Sequence, residues 1–223
     1  MFGLSGLVLA KLTAAALVVA LSPIPVVVAL VLLVHNDRPH WSSLAYLFGR
    51  VISLAALTAV FIRVPRLFDG LKGPAPAWTS WLVVAAGAAF VVLGARLWRR
   101  RRAAAAKRSQ WEHRVGRISP LAAASIGIFP MWTNPKILAA SAAAGTEIAT
   151  VRLTAVGAAV AVVFYAALAS AFVAAPVLAY LAVGPRIDPH LERIRRWLAH
   201  RRHAMTASTL VVVGLATVLY GMA

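Results

Sequence analysis

The sequence predicts an all-α membrane protein of six transmembrane helices in a 3+3 inverted repeat. Three observations predict it: an apolar composition, an uneven distribution of basic residues between loops, and a polar-proline interruption in each half. Of the 223 residues, 61% are hydrophobic and 13% are charged, whereas a soluble domain is ~45–50% apolar with ~25% charged residues. A membrane helix needs ~20 apolar residues, so six spans use ~120 of them. This composition excludes a soluble globular domain.

Six apolar runs follow one another along the chain, and each is long enough to cross a bilayer. They cover residues 4–34, 41–62, 78–98, 121–144, 153–183 and 204–223. The runs divide the chain into a first three-helix repeat over 1–98, a basic loop over 99–117 and a second repeat over 118–223. The beginning of the chain lacks the basic segment of a signal peptide, so its apolar run predicts a membrane helix.

Basic residues in the loops indicate the orientation. The loops after spans one, three and five carry 16 Lys and Arg residues, and the loops after spans two and four carry 4. The positive-inside rule therefore places the odd-numbered loops in the cytoplasm and both termini outside. Because this topology explains most of the net charge of +17, we expect no nucleic-acid partner.

Two cytoplasmic loops predict contact with the membrane surface. Residues 185–203 form an amphipathic interfacial helix before span six, with Asp188 as its N-cap and Pro189 in its first turn. Its apolar face carries Ile187, Leu191, Ile194 and Leu198. The basic run 99–108 faces anionic lipid. Anchoring and topology explain both features without a dedicated headgroup site, so that alternative stays open.

Spans one and four contain matching interruptions. Ser22-Pro23-Ile24-Pro25 lies in the middle of the first run, and Asn134-Pro135-Lys136 lies in the fourth. Proline removes a backbone donor and disfavours helical geometry at the residue before it. Paired broken helices, one in each inverted half, are typical of transporters that bind substrate near the membrane midplane. The alternative is a pair of packing kinks.

Three cations fall within apolar runs: Lys11, Arg50 and Lys136. Intramembrane charges are costly and indicate functional sites. All six acids lie in loops or at span ends, namely Asp37, Asp69, Glu112, Glu147, Asp188 and Glu192. We therefore expect no acid to neutralise the three cations, and this favours an anionic substrate. Alternatively, Lys11 reaches the outer surface and Arg50 bonds backbone carbonyls freed by the breaks.

An enzyme is not expected, because the chain has no cysteine and its histidines all lie in or beside loops. We expect no cofactor and no metal site.

These motifs resemble the GAP family, the peptidoglycolipid-addressing and sulfolipid-addressing proteins of mycobacteria, within the wider lysine-exporter (LysE) superfamily. The resemblance rests on Ser22-Pro23-Ile24-Pro25, residues 47–49, Asn134-Pro135-Lys136, residues 142–145 and the basic stretch 191–198. It implies a cytoplasmic-membrane protein that moves complex envelope lipids outward beside lipid-synthesis and larger transport proteins. Ser22 stands where the superfamily often has asparagine.

The resulting hypothesis is a transporter that exports or flips an anionic or glycosylated envelope lipid. The candidate substrate-binding residues are Lys136, Arg50, Asn134, Pro135, Ser22, Pro23, Pro25 and Lys11. Besides the lipid-synthesis and transport proteins, the candidate partners are the lipid substrate, anionic membrane lipids and a second copy of the chain. Two alternatives remain: an exporter of a small solute such as an amino acid, and a non-transporting adaptor for lipid-export machinery.

Overall fold

A computed structural model of the chain describes residues 5–68, 118–151 and 153–222, with six further residues at 88, 89, 91, 92, 95 and 96. The described residues are helical and contain no strand. They form seven α-helices, which we number α1 Gly6–Ala20, α2 Pro23–His35, α3 Pro39–Phe68, α4 Pro120–Thr133, α5 Pro135–Thr150, α6 Ala155–Val183 and α7 Asp188–Met222. A short 3₁₀ helix, Gly184–Ile187, joins α6 to α7.

The first apolar run divides at Ser22. Helix α1 ends at Ala20, α2 begins at Pro23, and the two axes are bent by 58°. Ser22 is the N-cap of α2 in an extended conformation, and Pro23 occupies the first helical position. Proline is favoured at that position because the backbone N–H it lacks would have no partner within the helix.

The fourth run divides at Asn134, which ends α4 and begins α5. Its side-chain oxygen accepts a hydrogen bond from the backbone N–H of Lys136 at 3.1 Å, and Pro135 again occupies the first turn. An asparagine cap followed by proline starts a new helix, so the α5 backbone is fixed directly at Lys136.

Two helical stretches are apolar and long enough to cross a membrane, Pro39–Arg63 and Ala155–Ala199, and the bent pair α1–α2 is a third if it counts as one span. The predicted third span, 78–98, is described only at scattered positions, and the basic loop 99–117 lies outside the described residues. The six-span inverted repeat stays a prediction. The prediction of a separate interfacial helix over 185–203 was wrong in one respect. Helix α7 runs unbroken from Asp188 through the predicted junction at 203–204. No proline or glycine follows the basic segment there, so nothing ends the helix.

Helix α3 lies at the centre of the described fold and contacts α4, α5 and α6. Its contact with α4 is close because glycines face it: a Cβ on Gly127 would lie 2.5 Å from the Tyr46 carbonyl oxygen, and one on Gly49 would lie 2.6 Å from the Ala124 carbonyl oxygen. Small residues let membrane helices approach in this way. The Trp132 indole also donates to Ser53 Oγ at 2.9 Å. The two predicted halves are therefore packed into one core.

The connections gather at two ends of the helices. At one end the Asn36 side chain donates to the Ile118 carbonyl at 3.0 Å, and the rings of His40 and Tyr180 lie 5.2 Å apart. At the other end Lys11 of α1 meets Glu147 of α5. The first end also carries the arginines around 186–201. The assignment of this end to the cytoplasm stays a prediction.

Candidate functional site

Arg50 is buried in the middle of α3, with 1% of its surface exposed. One terminal nitrogen, Nη2, donates to the Ala169 carbonyl of α6 at 3.4 Å, and Nη1 lies 3.7 Å from the Met131 sulfur of α4. Its Nε has no hydrogen-bond partner among the described residues. A guanidinium carries five N–H donors, so these long contacts leave much of its capacity unused.

Lys136 is the second residue of α5 and is 3% exposed. Its backbone is held by the Asn134 cap, and its neighbour Ile137 packs into the apolar core. The Lys136 Nζ has no hydrogen-bond partner within the described part of the chain. Burying an ammonium group without a partner is costly, so the fold holds this cation in place at the expense of stability.

Three more buried polar side chains either lie beside Arg50 or are hydrogen bonded to such a neighbour. Tyr46 and Tyr165 lie beside the Arg50 guanidinium. The Ser141 and Tyr165 hydroxyls are hydrogen bonded at 3.1 Å, and the Tyr46 hydroxyl donates to the Pro25 carbonyl at 3.2 Å. The Ser170 hydroxyl has no partner among the described residues. We call Arg50, Lys136, Tyr46, Tyr165 and Ser141 the cationic cluster.

The cationic cluster contains no acid among the residues described. Arg50 lies close enough to Lys136 for the two charges to repel each other. Of the acids in the described segments, Asp37 is exposed, Asp188 and Glu192 lie at the basic end, and Glu147 pairs with Lys11. Two like charges with spare donors in an apolar surrounding would be stabilised by an anion, since charge-assisted hydrogen bonds are the strong ones.

The expectation that Lys11 lacks an acidic partner was wrong. Its Nζ donates to both carboxylate oxygens of Glu147 at 3.0 Å, and its side chain is 53% exposed. Glu147 lies 136 residues away in the chain, so only packing of α1 against α5 reveals the pair. Lys11 thus lies outside the cationic cluster.

The other predicted site residues divide between the cluster and its supports. Pro25 accepts the Tyr46 hydroxyl, and Asn134 caps the helix that carries Lys136. Pro135 begins that helix and is exposed. Ser22 and Pro23 lie on an apolar groove formed with α6 and α7. Their direct contact with substrate stays a prediction.

Sequence reasoning missed the tyrosines and Ser170. A signal existed, because Tyr165 and Ser170 interrupt the run 158–175, which is otherwise Ala, Val, Leu and Phe, and Tyr46 lies between Leu44-Ala45 and Leu47-Phe48. Buried Tyr hydroxyls usually find a hydrogen-bond partner, which makes a tyrosine at the centre of an apolar run a candidate for a polar site.

The fold and the site define a class: a helical membrane protein with a buried cationic cluster between its helices and, within the described segments, no acid beside that cluster. The family model for Sap, sulfolipid-1-addressing protein (SfLAP), matches residues 12–223, and the chain belongs to this family. This match confirms the resemblance to sulfolipid-addressing proteins, while membership of the LysE superfamily stays a prediction. Comparisons with curated proteins and with solved structures found no match. Family and apolar helices together indicate a membrane protein with a lipid-related role.

Proposed function

We propose that the protein exports or flips an anionic or glycosylated envelope lipid across the cytoplasmic membrane. The observation that carries the proposal is the pair of buried cations, Arg50 and Lys136, with no acid beside them in the described residues. A sulfate, phosphate or carboxylate headgroup supplies the missing negative charge. A carrier of cations would instead place acids in such a site.

In this proposal the headgroup binds between Lys136 and Arg50. Lys136 acts as a compact charge, and the planar Arg50 guanidinium holds two anionic oxygens at once. The Tyr165 and Ser141 hydroxyls, which are hydrogen bonded to each other, complete the site for sugar or headgroup oxygens. Asn134 and Pro25 position the lysine helix and Tyr46 rather than bind the lipid directly.

The helix interruptions at Ser22 and Asn134 supply the moving parts. We propose six spans in two inverted triplets, with spans one and four broken and both termini outside. Broken helices at membrane depth are tolerated where they are buried or line a cavity. Rocking of the two triplets would expose the cationic cluster to one side and then the other. Lipid-synthesis and larger transport proteins would deliver the cargo on the basic side.

Native mass spectrometry of gently purified protein, combined with lipid extraction, tests the proposal. We expect wild type to retain one anionic or glycosylated envelope lipid, and Lys136→Ala to lose it. Arg63→Ala is the matched control, because Arg63 is an exposed cation at the end of the predicted second span. Bulk phospholipid alone, unchanged in Lys136→Ala, would contradict the proposal and favour the small-solute exporter or the adaptor.

A further inference from the structure

An apolar groove of about 580 Å³ lies between the beginning of α2, α6 and α7. Its base is formed by buried residues that include Ser22, Pro23 and Leu191. Its walls are open: Phe172 is 51% exposed and Trp197 is 52% exposed. Ser22 is the only hydroxyl-bearing side chain among the described residues that line the groove. A slender apolar ligand could therefore enter from the side.

The length of the groove suits a lipid chain. Along α7 its lining runs from Leu191 to Met205, which is about 21 Å at ~1.5 Å per residue. A lipid chain that spans one leaflet is ~15 Å long, half of a ~30 Å hydrocarbon core, so the groove is long enough to hold one. Its volume lies within the ~300–1,000 Å³ range of small-molecule sites.

Basic groups at the groove rim favour a lipid with a negative headgroup. The Arg201 guanidinium lies over the Trp197 ring, 5.3 Å from its centroid, and Trp197 lines the groove. Arg186 is exposed beside Ile187, another lining residue. Arginines next to an apolar surface bind anionic headgroups while the chains stay in hydrocarbon. An uncharged apolar helix would gain nothing from these arginines.

We propose that this groove binds an acyl chain of an anionic lipid. The inference rests on the proposed function and adds the place of the tail. Helix α2 joins the two sites: Ser22 and Pro23 line the groove, while the Pro25 carbonyl accepts the Tyr46 hydroxyl of the cationic cluster. A lipid whose chain lies in this groove and whose headgroup lies at the arginines would thus be next to the cationic cluster.

Photolabelling of the full chain tests the groove. The probe is a phosphatidylglycerol with a diazirine on one acyl chain, present at low mole fraction in phosphatidylcholine vesicles. We expect labels on groove peptides of α6 and α7, and about tenfold less groove labelling in Ala175→Trp, because an indole fills the space of the chain. Ala167→Trp is the matched control: both alanines are exposed on α6, and only Ala175 lines the groove.

A second variant covers misfolding of Ala175→Trp. Ile194 lies on the exposed wall, 48% accessible, so Ile194→Asp is tolerated in the fold and repels an anionic lipid from the groove. Equal labelling of wild type, Ala175→Trp and Ile194→Asp would overturn the proposal. Equal labelling by a phosphatidylcholine probe would also overturn it, because the rim charge would then select nothing.

The chain's own segment 78–98 is the competing occupant. Because the chain has no cysteine, Trp197→Cys can be paired with single cysteines through 78–98. Efficient disulfide formation without lipid labelling would assign the groove to that segment and overturn the proposal.

The groove and the proposed function fail separately. If lipid retention depends on Lys136 while the groove stays unlabelled, the tail site is wrong and the exporter stands. If the groove is labelled while Lys136→Ala retains as much lipid as wild type, the tail site stands and the proposed exporter function is wrong.

Discussion

Lys136 and Lys11 are both lysines within apolar runs, yet the fold treats them in opposite ways. Lys11 is half-exposed and bound to both oxygens of Glu147, whereas Lys136 is buried and its Nζ has no partner in the described residues. An exposed pair of this kind contributes ~0–1 kcal/mol. A buried charge without a partner costs several kcal/mol. The difference is that Lys11 is already paired near the surface, whereas Lys136 carries a buried charge that an anion would stabilise.

A cost of that size at Lys136 points to function, because a buried cation would otherwise be replaced by an apolar residue at a gain in stability. Arg50 lies between the two cases: it is as buried as Lys136 but has long contacts to Ala169 and Met131. Among the described residues, the three cations thus differ in how far their charge is satisfied: Lys136 least, Arg50 in part and Lys11 fully.

Among these substitutions, Lys136→Leu should have the largest effect on lipid binding. We expect affinity for an anionic lipid to fall at least about thirtyfold, the equivalent of ~2 kcal/mol, because the anionic headgroup loses its cationic partner. The free energy of unfolding should stay constant or rise by ~1–4 kcal/mol. Lipid binding and thermal unfolding in detergent measure the two effects. A destabilised Lys136→Leu protein would show that Lys136 holds the fold together instead.

Gly127→Ala tests the packing that positions Arg50. The added Cβ would lie 2.5 Å from the Tyr46 carbonyl oxygen and 3.0 Å from the Arg50 backbone nitrogen. Overpacking of this kind costs ~1–3 kcal/mol, so thermal unfolding should occur at a lower temperature. Gly6→Ala is the control, because a Cβ added at Gly6 would have no described atom within 4 Å apart from those of its own helix turn. Equal stability of the two variants would mean that α3 and α4 are not in close contact.

Arg50→Lys sharpens the distinction between charge and shape. Lysine keeps the positive charge but cannot bind two oxygens with a planar fork. We expect about a tenfold loss of affinity for a sulfated lipid, or ~1.4 kcal/mol, as measured by lipid titration. Arg63→Lys, an exposed change near the end of the same helix, should have no effect. Wild-type affinity in Arg50→Lys would reduce Arg50 to a source of charge.

Glu147→Gln should have the smallest effect. Removing an exposed ion pair changes the free energy of unfolding by ~1 kcal/mol or less, and added salt should shrink the difference further. Urea or thermal unfolding at low and high salt measures it. A loss of lipid binding in Glu147→Gln would contradict the placement of Lys11 outside the binding site.

The all-helical fold of the described residues was predicted correctly, and four of the helix-boundary residues could be named because proline, asparagine and serine act locally; the six-span repeat with two broken spans stays a prediction. Ser22, Pro23, Asn134 and Pro135 lie at the helix boundaries where their chemistry places them. Arg50 and Lys136 could be chosen because a charge within an apolar run is rare. Tyr46 could have been assigned as a neighbour of Arg50, because the two residues are four apart on one helix. Tyr165 could not, since it comes from another helix and joins them only through tertiary packing.

Sequence alone also could not pair Lys11 with Glu147. That contact depends on how α1 packs against α5, which no local pattern encodes. Nor did the amphipathic pattern of 185–203 reveal that α7 continues beyond it, because periodicity identifies a helical face and not a missing stop signal.

Lysine-selective NMR tests directly whether Lys136 binds an anionic lipid. The chain has four lysines, at 11, 72, 107 and 136, so isotope labelling of the side chains gives four assignable signals in lipid nanodiscs. On addition of a sulfated glycolipid, we expect a saturable shift of the Lys136 signal and an unchanged Lys11 signal. An unmoved Lys136 signal, or equal shifts of Lys136 and Lys11, would contradict a buried anion site.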